Sequence, residues 1–422
     1  MKKLFIILSV IISSACSESL SQPAWTRVTD SIPNLVIMSM QFTSASRGYA
    51  CGSYNTTAPG AFLRTSNGAL NWQGTQFPNV SVDALSFVDQ NTGYLSCWAV
   101  PKSYVYKTTN GGDNWFIADS LGTSFFDIKF FNANTGCVVA KYNMNHFTTD
   151  GGYTWTTNNN GNWHEPSTLL CLNSDTWFVA MGETHISKTT NRGGNWNIIN
   201  FNSGNYVYSL SFINASTGFA LTYNGKVFKS TSAGDNWTQI SSLGDSSLYN
   251  GCIMFPNSAT GYISYSRGIF KTTNGGYNWN PLPFSNTAGL YLVYFLNRDT
   301  GFAGGNNGFI YRTTTGGTVG INAISEVIPE KYSLSQNYPN PFNPVTKIPF
   351  SIPLWRGEGG WNTAILKIYD ITGREVQTLV SESLQPGTYE VSFDGSGYNS
   401  GVYFYKLTAG DYSETKKMLL IK

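Results

Sequence analysis

The chain has 422 residues, which allows roughly two or three domains with a sizeable core. Charged residues make up 12% and aromatic residues 15%, and the formal net charge of +2 comes without any basic run. This composition argues against nucleic acid and anionic membranes as partners, because both are bound through clustered Lys and Arg.

The first residues, MKKLFIILSVIISSAC, have the pattern of a secretory signal: two lysines, an apolar run over Leu4–Ile12 and then small residues. The run is too short to span a membrane, and no later stretch is long and apolar enough. We therefore predict a signal peptide over residues 1–15 and no transmembrane segment. Ser13 and Ala15 fit cleavage after Ala15. Lipid attachment to Cys16 is the alternative, although lipoprotein signals usually carry Leu where this chain has Ser13.

Cysteine and histidine are too dispersed to indicate a metal site. No CxxC pair exists, and the chain has three histidines. The sequence therefore predicts neither a metal nor a cofactor. Beyond Cys16 the cysteines stand singly, and their spacing names no disulfide pair; they are Cys51, Cys97, Cys137, Cys171 and Cys252.

A nine-residue stretch recurs along most of the chain. KTTNGGDNW at Lys107 returns as KTTNRGGNW at Lys188 and KTTNGGYNW at Lys271. With the looser copies, six of these stretches end in tryptophans 43, 40, 41, 41 and 42 residues apart. A seventh copy, RTTTGGTVG, ends at Gly320 without a tryptophan. A period of about 40 residues indicates a repeat array.

Each repeat reads as four short strands. An alternating run such as YSLSFI, at Tyr208, is followed by a Thr-Gly-aromatic step, a run such as VYKTT, and the nine-residue stretch that leads into the tryptophan strand. Four strands in about 41 residues are typical of a propeller blade.

The nine-residue stretch resembles the Asp-box, or BNR repeat: Ser/Thr, any residue, Asp/Asn, any residue, Gly, two residues, Trp. Four copies match in full: Thr108, Asn110, Gly112 and Trp115; Thr148, Asp150, Gly152 and Trp155; Thr189, Asn191, Gly193 and Trp196; Thr272, Asn274, Gly276 and Trp279. Asn or Asp side chains hold such turns, and Gly accepts positive φ. Because the set recurs in every repeat, we interpret it as scaffold, with each tryptophan ring buried between sheets.

The first strand after the signal is expected to close the array. PAWTRV places Trp25 at the start of a strand like NWTQI, and the seventh copy lacks both its tryptophan and the strand after it. We predict that Trp25–Val28 pairs with the third strand of the last blade, so that the ring has no open edge.

The last 90 or so residues lack the repeat and have a different sequence pattern. It includes YPNPFNP at Tyr338, IYD at Ile368, SGVYFYKL at Ser400 and the terminal KMLLIK. These motifs resemble the C-terminal sorting domain of type IX secretion cargo. The resemblance implies export through the type IX machinery after a Sec signal, and secreted or cell-surface localisation. Alternating strands with Gly, Pro and Asn turns predict an Ig-like β-sandwich.

Two classes of function remain open for the propeller. Asp-box propellers include sialidases and other glycan hydrolases, but this chain lacks the Arg-Ile-Pro signature and has nine arginines in all. A two-carboxylate hydrolase, sialidase- or xyloglucanase-like, would need a facing acidic pair. Candidates cluster in the fourth repeat: Glu165, Asp175 and Glu183.

A binding function is the other hypothesis, and it is the one we favour. Ligands of propellers usually lie on the face opposite the boxed turns, and a ring of aromatic side chains there would suit a glycan or a surface protein. These rings could also only cover their own hairpins. The candidates are Tyr54, Trp98, Tyr142, Trp163, Tyr223 and Tyr265. The repeats also resemble the propeller of photosystem II assembly factors, which bind protein partners.

The sequence as a whole predicts an all-β chain. It comprises a seven-bladed propeller of four-stranded blades over residues 24–320, a linker over 321–330 and the sorting domain over 331–422. We expect a monomer that acts as an exported binding protein rather than an enzyme.

Overall fold

The computed structural model describes residues 24–29, 32–54, 57–121, 124–141, 144–159, 166–181, 185–200, 206–244, 251–265, 268–282, 289–317, 321–325, 328–354, 362–384 and 386–422. The predicted signal peptide and its cleavage site, Ala15 and Cys16, lie outside these ranges. Within them the chain is all-β, with one short 3₁₀ turn at Asn306–Gly308.

The described strands form nine four-stranded sheets with antiparallel neighbours. Seven of them, sheets I to VII, take their strands from the repeat region. In spatial order, sheet I has β2 (Leu35–Phe42), β3 (Gly48–Tyr54), β4 (Thr57–Thr65) and β5 (Gln73–Phe77); sheet II has β6 (Ser81–Phe87), β7 (Gly93–Trp98), β8 (Ser103–Thr108) and β9 (Phe116–Leu121); and sheet III has β10 (Phe125–Phe130), β11 (Gly136–Ala140), β12 (Met144–Thr148) and β13 (Thr156–Asn159). Sheet IV has β14 (Pro166–Cys171), β15 (Trp177–Met181), β16 (His185–Thr189) and β17 (Asn197–Asn200); sheet V has β18 (Val207–Phe212), β19 (Gly218–Thr222), β20 (Lys226–Ser230) and β21 (Thr238–Ser242); and sheet VI has β22 (Cys252–Met254), β23 (Gly261–Tyr265), β24 (Gly268–Thr272) and β25 (Asn280–Pro281). Sheet VII begins with the N-terminal strand and has β1 (Thr26–Arg27), β28 (Ile310–Thr313), β27 (Gly301–Gly305) and β26 (Leu290–Phe295).

No helix among the described residues is long and apolar enough to cross a membrane.

The Thr-Gly-aromatic step of each repeat makes the core between neighbouring sheets. In sheet II, Gly93 lies beneath the Phe87 ring, and a Cβ there would come within 2.4 Å of that ring. The next residue, Tyr94, stacks on Phe130 of sheet III with ring centroids 3.4 Å apart. Glycine is therefore required so that the aromatic ring of one strand can cover its neighbour, while the tyrosine extends the stack into the next sheet.

The same stacking recurs between the other sheets, with ring centroids 3.5–4.8 Å apart; the pairs are Tyr49–Phe87, Phe178–Phe212, Phe219–Phe255, Tyr262–Phe295 and Phe302–Phe42. Between sheets III and IV, the small side chains Cys137 and Cys171 occupy the corresponding positions, and the fully buried Trp177 packs in the same cluster.

The first strand of each of sheets I to VI, and β26 in sheet VII, is called here the inner strand. Each inner strand is hydrogen-bonded to the inner strand of the next sheet. Each bond joins a side chain and a main-chain atom, and with the donor given first they are Gln41 Nε2 to Phe87 O at 2.7 Å, Phe130 N to Ser86 Oγ at 2.8 Å, Leu169 N to Asp127 Oδ2 at 3.0 Å, Ser167 Oγ to Val207 O at 2.5 Å, Phe255 N to Ser211 Oγ at 3.0 Å, Phe295 N to Met254 Sδ at 2.9 Å, and Tyr294 Oη to Phe42 O at 3.0 Å. The last bond joins sheet VII to sheet I.

The strand after the predicted signal peptide is an edge strand of sheet VII, next to β28. The Val28 amide donates to the Ile310 carbonyl at 2.8 Å. The Thr29 hydroxyl donates to the Gly308 carbonyl at 2.9 Å and accepts from the Ile310 amide at 2.8 Å. Residues nearly 280 positions apart therefore complete one sheet.

The remaining two sheets lie in the tail. Sheet VIII orders β29 (Ile321–Ser325), β34 (Gly387–Asp394), β31 (Val345–Ile352) and β30 (Ser333–Leu334); sheet IX orders β33 (Glu375–Leu384), β32 (Asn362–Tyr369), β35 (Gly401–Ala409) and β36 (Tyr412–Leu420). Burial alternates along the strands, as in β34, which indicates one core-facing side per sheet. The buried Tyr405 of sheet IX donates to Ser335 O at 2.9 Å and accepts from Asn337 N at 2.8 Å, which ties it to the segment after β30.

The Cα framework divides into two compact units. The first takes in residues 27–279 and 286–312, and the second residues 313–422 with short segments that include 24–26 and 280–282. Residues 321–325, in the stretch expected to be a linker, form a strand of sheet VIII.

Candidate functional site

The boxed turns are held by a buried threonine hydroxyl. In the second copy, Thr108 Oγ1 accepts from the Gly112 amide at 3.0 Å and donates to Asn110 Oδ1 at 3.0 Å. Asn110 Oδ1 also accepts from the Asn114 amide at 3.0 Å. Gly112 has φ of +88°, and a Cβ there would lie 2.3 Å from the Phe62 ring. The turn therefore needs the hydroxyl, the amide side chain and the glycine together.

Two of the six copies that end in tryptophan depart from the Asp-box pattern, the first with Ala69 and the fifth with Ser232, and they form the same hydrogen bonds with these residues. Ala69 adopts φ of +70° and donates to Thr65 Oγ1 at 3.1 Å. Ser232 replaces the Asp/Asn position, and its hydroxyl accepts from the Asn236 amide at 2.9 Å. The first-position hydroxyl is buried in all seven copies, so it is the common element of the turn.

The box tryptophans are half-buried rather than enclosed, and they pack edge-on against phenylalanines of the core. Trp115 meets Phe62 with ring centroids 5.0 Å apart and an interplanar angle of 76°. In the seventh copy, Gly317 lies against Trp25, whose Nε1 is 2.6 Å from the position of a Cβ on that glycine. Trp155 lies over Gly152 in a similar way, with its ring 3.5 Å from the corresponding point.

A cation precedes six of the seven boxes, and it can reach the box of the following sheet. Lys107 Nζ donates to Gly151 O at 2.9 Å and lies 4.8 Å from the centroid of the Tyr153 ring. Lys188 Nζ donates to Ala233 O at 2.9 Å and to Asp235 Oδ1 at 2.7 Å.

The residue directly after the box glycine matches this cation in four of six cases. It is then a carboxylate or an aromatic ring, as in Asp113 beside Arg64 and Tyr277 beside Lys229. After Lys271 and Arg312 the corresponding residues of the next box are Thr318 and Leu70. Sheet III carries Phe147 in place of the cation, and the matching residue of the next box is Gly194. The polar groups of this face are therefore used within the protein.

Four of the aromatic residues predicted to form a rim lie at the ends of the sheets opposite the boxed turns, at the turn between the second and third strands. Tyr54, Trp98, Tyr223 and Tyr265 are all half-buried. Tyr265 stacks on Phe270 of its own hairpin with centroids 4.8 Å apart, and Tyr54 Oη accepts from the Gln76 amide at 3.2 Å.

Tyr223 joins two aromatic rings at the start of the inner strand of its sheet. Its ring centroid lies 5.6 Å from that of Tyr208 and 6.4 Å from that of Tyr206. Tyr142 and Trp163 lie outside the described residues. The structure therefore gives Tyr54 a contact with the fourth strand of its own sheet and Tyr265 one with its own hairpin, and it brings Tyr223 to the start of the inner strand of sheet V.

The inner strands share a feature that the sequence did not reveal. In sheets I to V and VII, the pairing of the first strand with the second shifts by one residue at the same repeat position. Such bulges turn a side chain out of the sheet and are frequent beside binding sites. The extra inner-strand residues at these shifts are Met38, Asp83, Phe126, Ser167, Tyr208 and Tyr291. We call them the bulge ring, because the inner strands that carry them are bonded to one another in sequence.

Asp83 is the charged member of the bulge ring. Its Oδ1 accepts from Ser81 Oγ at 2.6 Å, and Ser81 Oγ lies 2.6 Å from Ser53 Oγ of sheet I. Both serines are buried, and the Val82 amide donates to Ser53 Oγ at 2.9 Å. Burial raises the pKa of Asp83 to about 6, and the Ser81 hydrogen bond only partly offsets this.

A second charged pair lies further along the inner strands. Lys129 Nζ contacts Asp127 Oδ1 at 3.1 Å. Burial disfavours the ammonium, but Asp127 raises the pKa of Lys129 above its ordinary value. Burial raises the pKa values of the thiols Cys171, Cys252 and Cys51, and the positive charge of Lys129 partly offsets this by lowering them.

The carboxylates considered for hydrolysis show no catalytic arrangement among the described residues. Asp175 Oδ1 accepts from Arg192 Nε at 2.5 Å, and this bond lowers the pKa of Asp175. Glu165 and Glu183 lie outside the described residues. No group of three or more His, Cys, Asp or Glu that could hold a metal occurs in the part of the chain that the structure describes.

Residues 336–422 match the family described as the secretion system C-terminal sorting domain. The tail is a sorting domain. The predicted resemblance is thereby confirmed for this segment, and the sorting domain implies type IX export to the cell surface or the extracellular space. No curated protein matches the sequence.

Solved structures resemble the repeat region. One described as YCF48 bound to D1 peptide has a TM-score of 0.58 at 18% identity, over 70% of this chain and 96% of that one. YCF48 from Cyanidioschyzon merolae gives 0.57 at 15% identity, over 69% and 98%. The WD40 β-propeller domain of Doa1 gives 0.52 at 8% identity, over 68% and 95%. At these identities the likeness shows the fold alone: the repeat region is propeller-like.

Proposed function

We propose that the chain is an exported binding protein, with a seven-bladed propeller as the binding scaffold and an Ig-like sorting domain as the export signal. Three observations support seven blades closed into a ring. Seven sheets are bonded in sequence through their inner strands, the Tyr294 hydroxyl joins sheet VII to sheet I, and β1 completes sheet VII. Trp25, lying against Gly317, supplies the tryptophan that the seventh box lacks.

One contrast carries the assignment of the binding face. Across the repeats, the boxed turn holds the same hydroxyl in the same bond, as a structural element must. The bulge position carries instead Met, Asp, Phe, Ser and Tyr, and these side chains are partly exposed. Residue types that differ from one repeat to the next, on a backbone that stays the same, are not needed to hold the fold and can be adapted to a ligand. We therefore assign the binding site to the bulge ring and to Tyr206 and Tyr223 beside it.

The composition of this site favours a protein or peptide ligand. Tyr, Phe and Met supply large apolar contact area with few polar groups to satisfy, as in protein interfaces. A structure of similar fold is described as bound to a peptide. A glycan would also stack on Tyr208 and Tyr291, and it is the alternative that the experiment separates.

The test is to present the purified full-length chain to a glycan array and to a displayed library of random peptides. We expect ligands from the peptide library whose affinity falls about tenfold or more in Tyr208→Ala, as loss of an aromatic contact residue does. Ile117→Ala, which truncates an exposed apolar residue of the outer strand β9, is the matched control and should bind normally. Absence of any ligand from both collections, or equal binding by Tyr208→Ala, would overturn the proposal.

A further inference from the structure

We infer that the bulge ring takes a cationic group, the side chain of a lysine or arginine in a partner polypeptide, with Asp83 as its counter-ion. This inference rests on the proposed function and names the chemistry of its ligand. Three features of the site carry it: the position of Asp83 in the ring, the way its carboxylate is held, and the exposed apolar side chain of Met38 at the equivalent position of sheet I.

Asp83 is the one ionisable carboxylate of the bulge ring, so it breaks the ring's symmetry. The equivalent residues of the neighbouring sheets are Met38 and Phe126. A lysine or arginine side chain has an apolar stem and a charged head. The stem would pack on the exposed Met38 side chain, and the head would reach the Asp83 carboxylate. Phe126 packs instead against the core cluster that contains Leu169 and Trp177.

The carboxylate is held in place before any ligand binds. The buried Ser53 and Ser81 hydroxyls and the Val82 amide form a relay that ends at Asp83 Oδ1. A carboxylate can accept about four hydrogen bonds, and this relay supplies one of them. The other oxygen, Oδ2, has no hydrogen-bond partner among the described residues, and no described Lys or Arg forms an ion pair with Asp83. The site therefore offers acceptor capacity to a donor that arrives from outside.

The other charged groups nearby do not compete for this role. The Lys129 ammonium is paired with Asp127. Asp83 acts electrostatically on the thiols of Cys51 and Cys97, and burial raises the pKa values of both well above their ordinary range. Both thiols are thus neutral over the physiological range. Between pH 5 and pH 7, the charge of this part of the ring follows Asp83, whose pKa is about 6.

The experiment uses the full-length chain and a displayed library of random twelve-residue peptides. Retained peptides should share a lysine or arginine, and changing that residue to glutamine should weaken binding about ten- to a hundredfold, as loss of one charge-assisted hydrogen bond does. Asp83→Asn should weaken binding by a similar factor. Asp299→Asn, which neutralises an exposed carboxylate at the boxed-turn end of sheet VII, is the matched control and should leave binding unchanged.

Two further measurements keep the test decisive. Wild-type affinity should fall about tenfold from pH 7 to pH 5 as the carboxylate is protonated, while Asp83→Asn shows no such change. If Asp83→Asn does not fold, Ser81→Ala serves instead: it frees the carboxylate from the relay but keeps its charge. Ser81→Ala should then retain the preference for basic peptides.

The outcomes separate this inference from the proposed function. Peptides without basic residues, bound equally by wild type and Asp83→Asn but lost in Tyr208→Ala, would overturn the cationic assignment and leave the binding function standing. Retention of glycans and no peptides would do the same. Retention of neither class would overturn both.

Discussion

The Tyr294 hydroxyl donates to the carbonyl of Phe42 at 3.0 Å, across 252 positions of sequence. It joins the inner strand of the last repeat to that of the first, and the Phe42 ring stacks on Phe302 of sheet VII with centroids 3.9 Å apart. The ends of the array are therefore packed against one another in the same way as its interior neighbours. This arrangement makes the stability of the array depend on contacts at its two ends.

Closure predicts that Thr29→Val destabilises the protein. The Thr29 hydroxyl bonds both to Gly308 O and to the Ile310 amide. Valine keeps the shape of threonine but leaves these groups without that partner, so we expect a loss of about 1–3 kcal/mol in the free energy of unfolding. Thr29→Ser keeps the hydroxyl and is the control for urea denaturation. Equal midpoints for the valine and serine variants would contradict the closure argument.

The boxed turn predicts a similar asymmetry at Thr108. Thr108→Val removes the acceptor of the buried Gly112 amide and should cost about 1–3 kcal/mol. Thr108→Ser should be nearly neutral, because Ser230 makes the same bond to Gly234 at 3.0 Å in the fifth copy. Thermal unfolding of the two variants compares them directly. A loss from serine as large as that from valine would show that the methyl group matters as much as the hydroxyl, and no loss from valine would show that the hydroxyl bond is dispensable.

Truncation of a box tryptophan tests the scaffold interpretation. Trp115→Ala removes edge-on contacts with Phe62, Phe77 and Phe87. Because the indole is half-buried, we expect a loss of about 2–4 kcal/mol, at or below the usual range for buried aromatic residues. Ligand affinity measured on the folded fraction should not change. An unaltered melting temperature, or a selective loss of binding, would point to a functional role for the boxes.

The periodic parts of this fold could be predicted from the sequence because the same local patterns recur in each repeat. Alternating strands, the Thr-Gly-aromatic step and the boxed glycine are local patterns, and one repeat corroborates the next. The tail motifs were equally readable, and the family match confirms them.

The rest depends on contacts between repeats, which no local pattern displays. The sequence pointed to Asn110 as the turn-holding residue, but the buried hydroxyl of Thr108 is what all copies share. The pairing of Lys188 with Asp235 spans 47 positions. The bulge at Asp83 follows from strand register, so an aspartate in VDALSF looked like an ordinary polar residue of an alternating strand.

The sorting domain predicts where a shortened chain will stop. All four strands of each of sheets I to VII come from residues before 314. A chain ending at residue 320 should therefore keep its repeat region folded but remain in the periplasm. Fractionation of expressing cells, with circular dichroism of the purified fragment, measures both properties. Appearance of the fragment outside the cell would contradict the export role of the tail, and an unfolded fragment would contradict the domain boundary.

Asp83 predicts a stability effect with a defined dependence on pH. Burial raises its pKa from 3.8 to about 6 on folding, so the folded chain binds this proton more tightly than the unfolded chain does. The associated stability is complete below about pH 4 and is lost as the pH rises through 6. Asp83→Asn carries no such penalty, and at pH 8 it should raise the free energy of unfolding by about 1–3 kcal/mol relative to wild type.

The measurement is the difference in unfolding free energy between Asp83→Asn and wild type from pH 4 to pH 8. Taking the difference removes the opposite contribution of His146, whose pKa burial lowers to about 4 and which both proteins share. The difference should be near zero at pH 4 and grow through pH 6. A gain that is the same at every pH would come from packing and not from charge. The Asp83 carboxylate destabilises the folded chain at neutral pH, and yet the serine relay holds it in place. Such a cost in stability is expected of a residue kept for binding a cation.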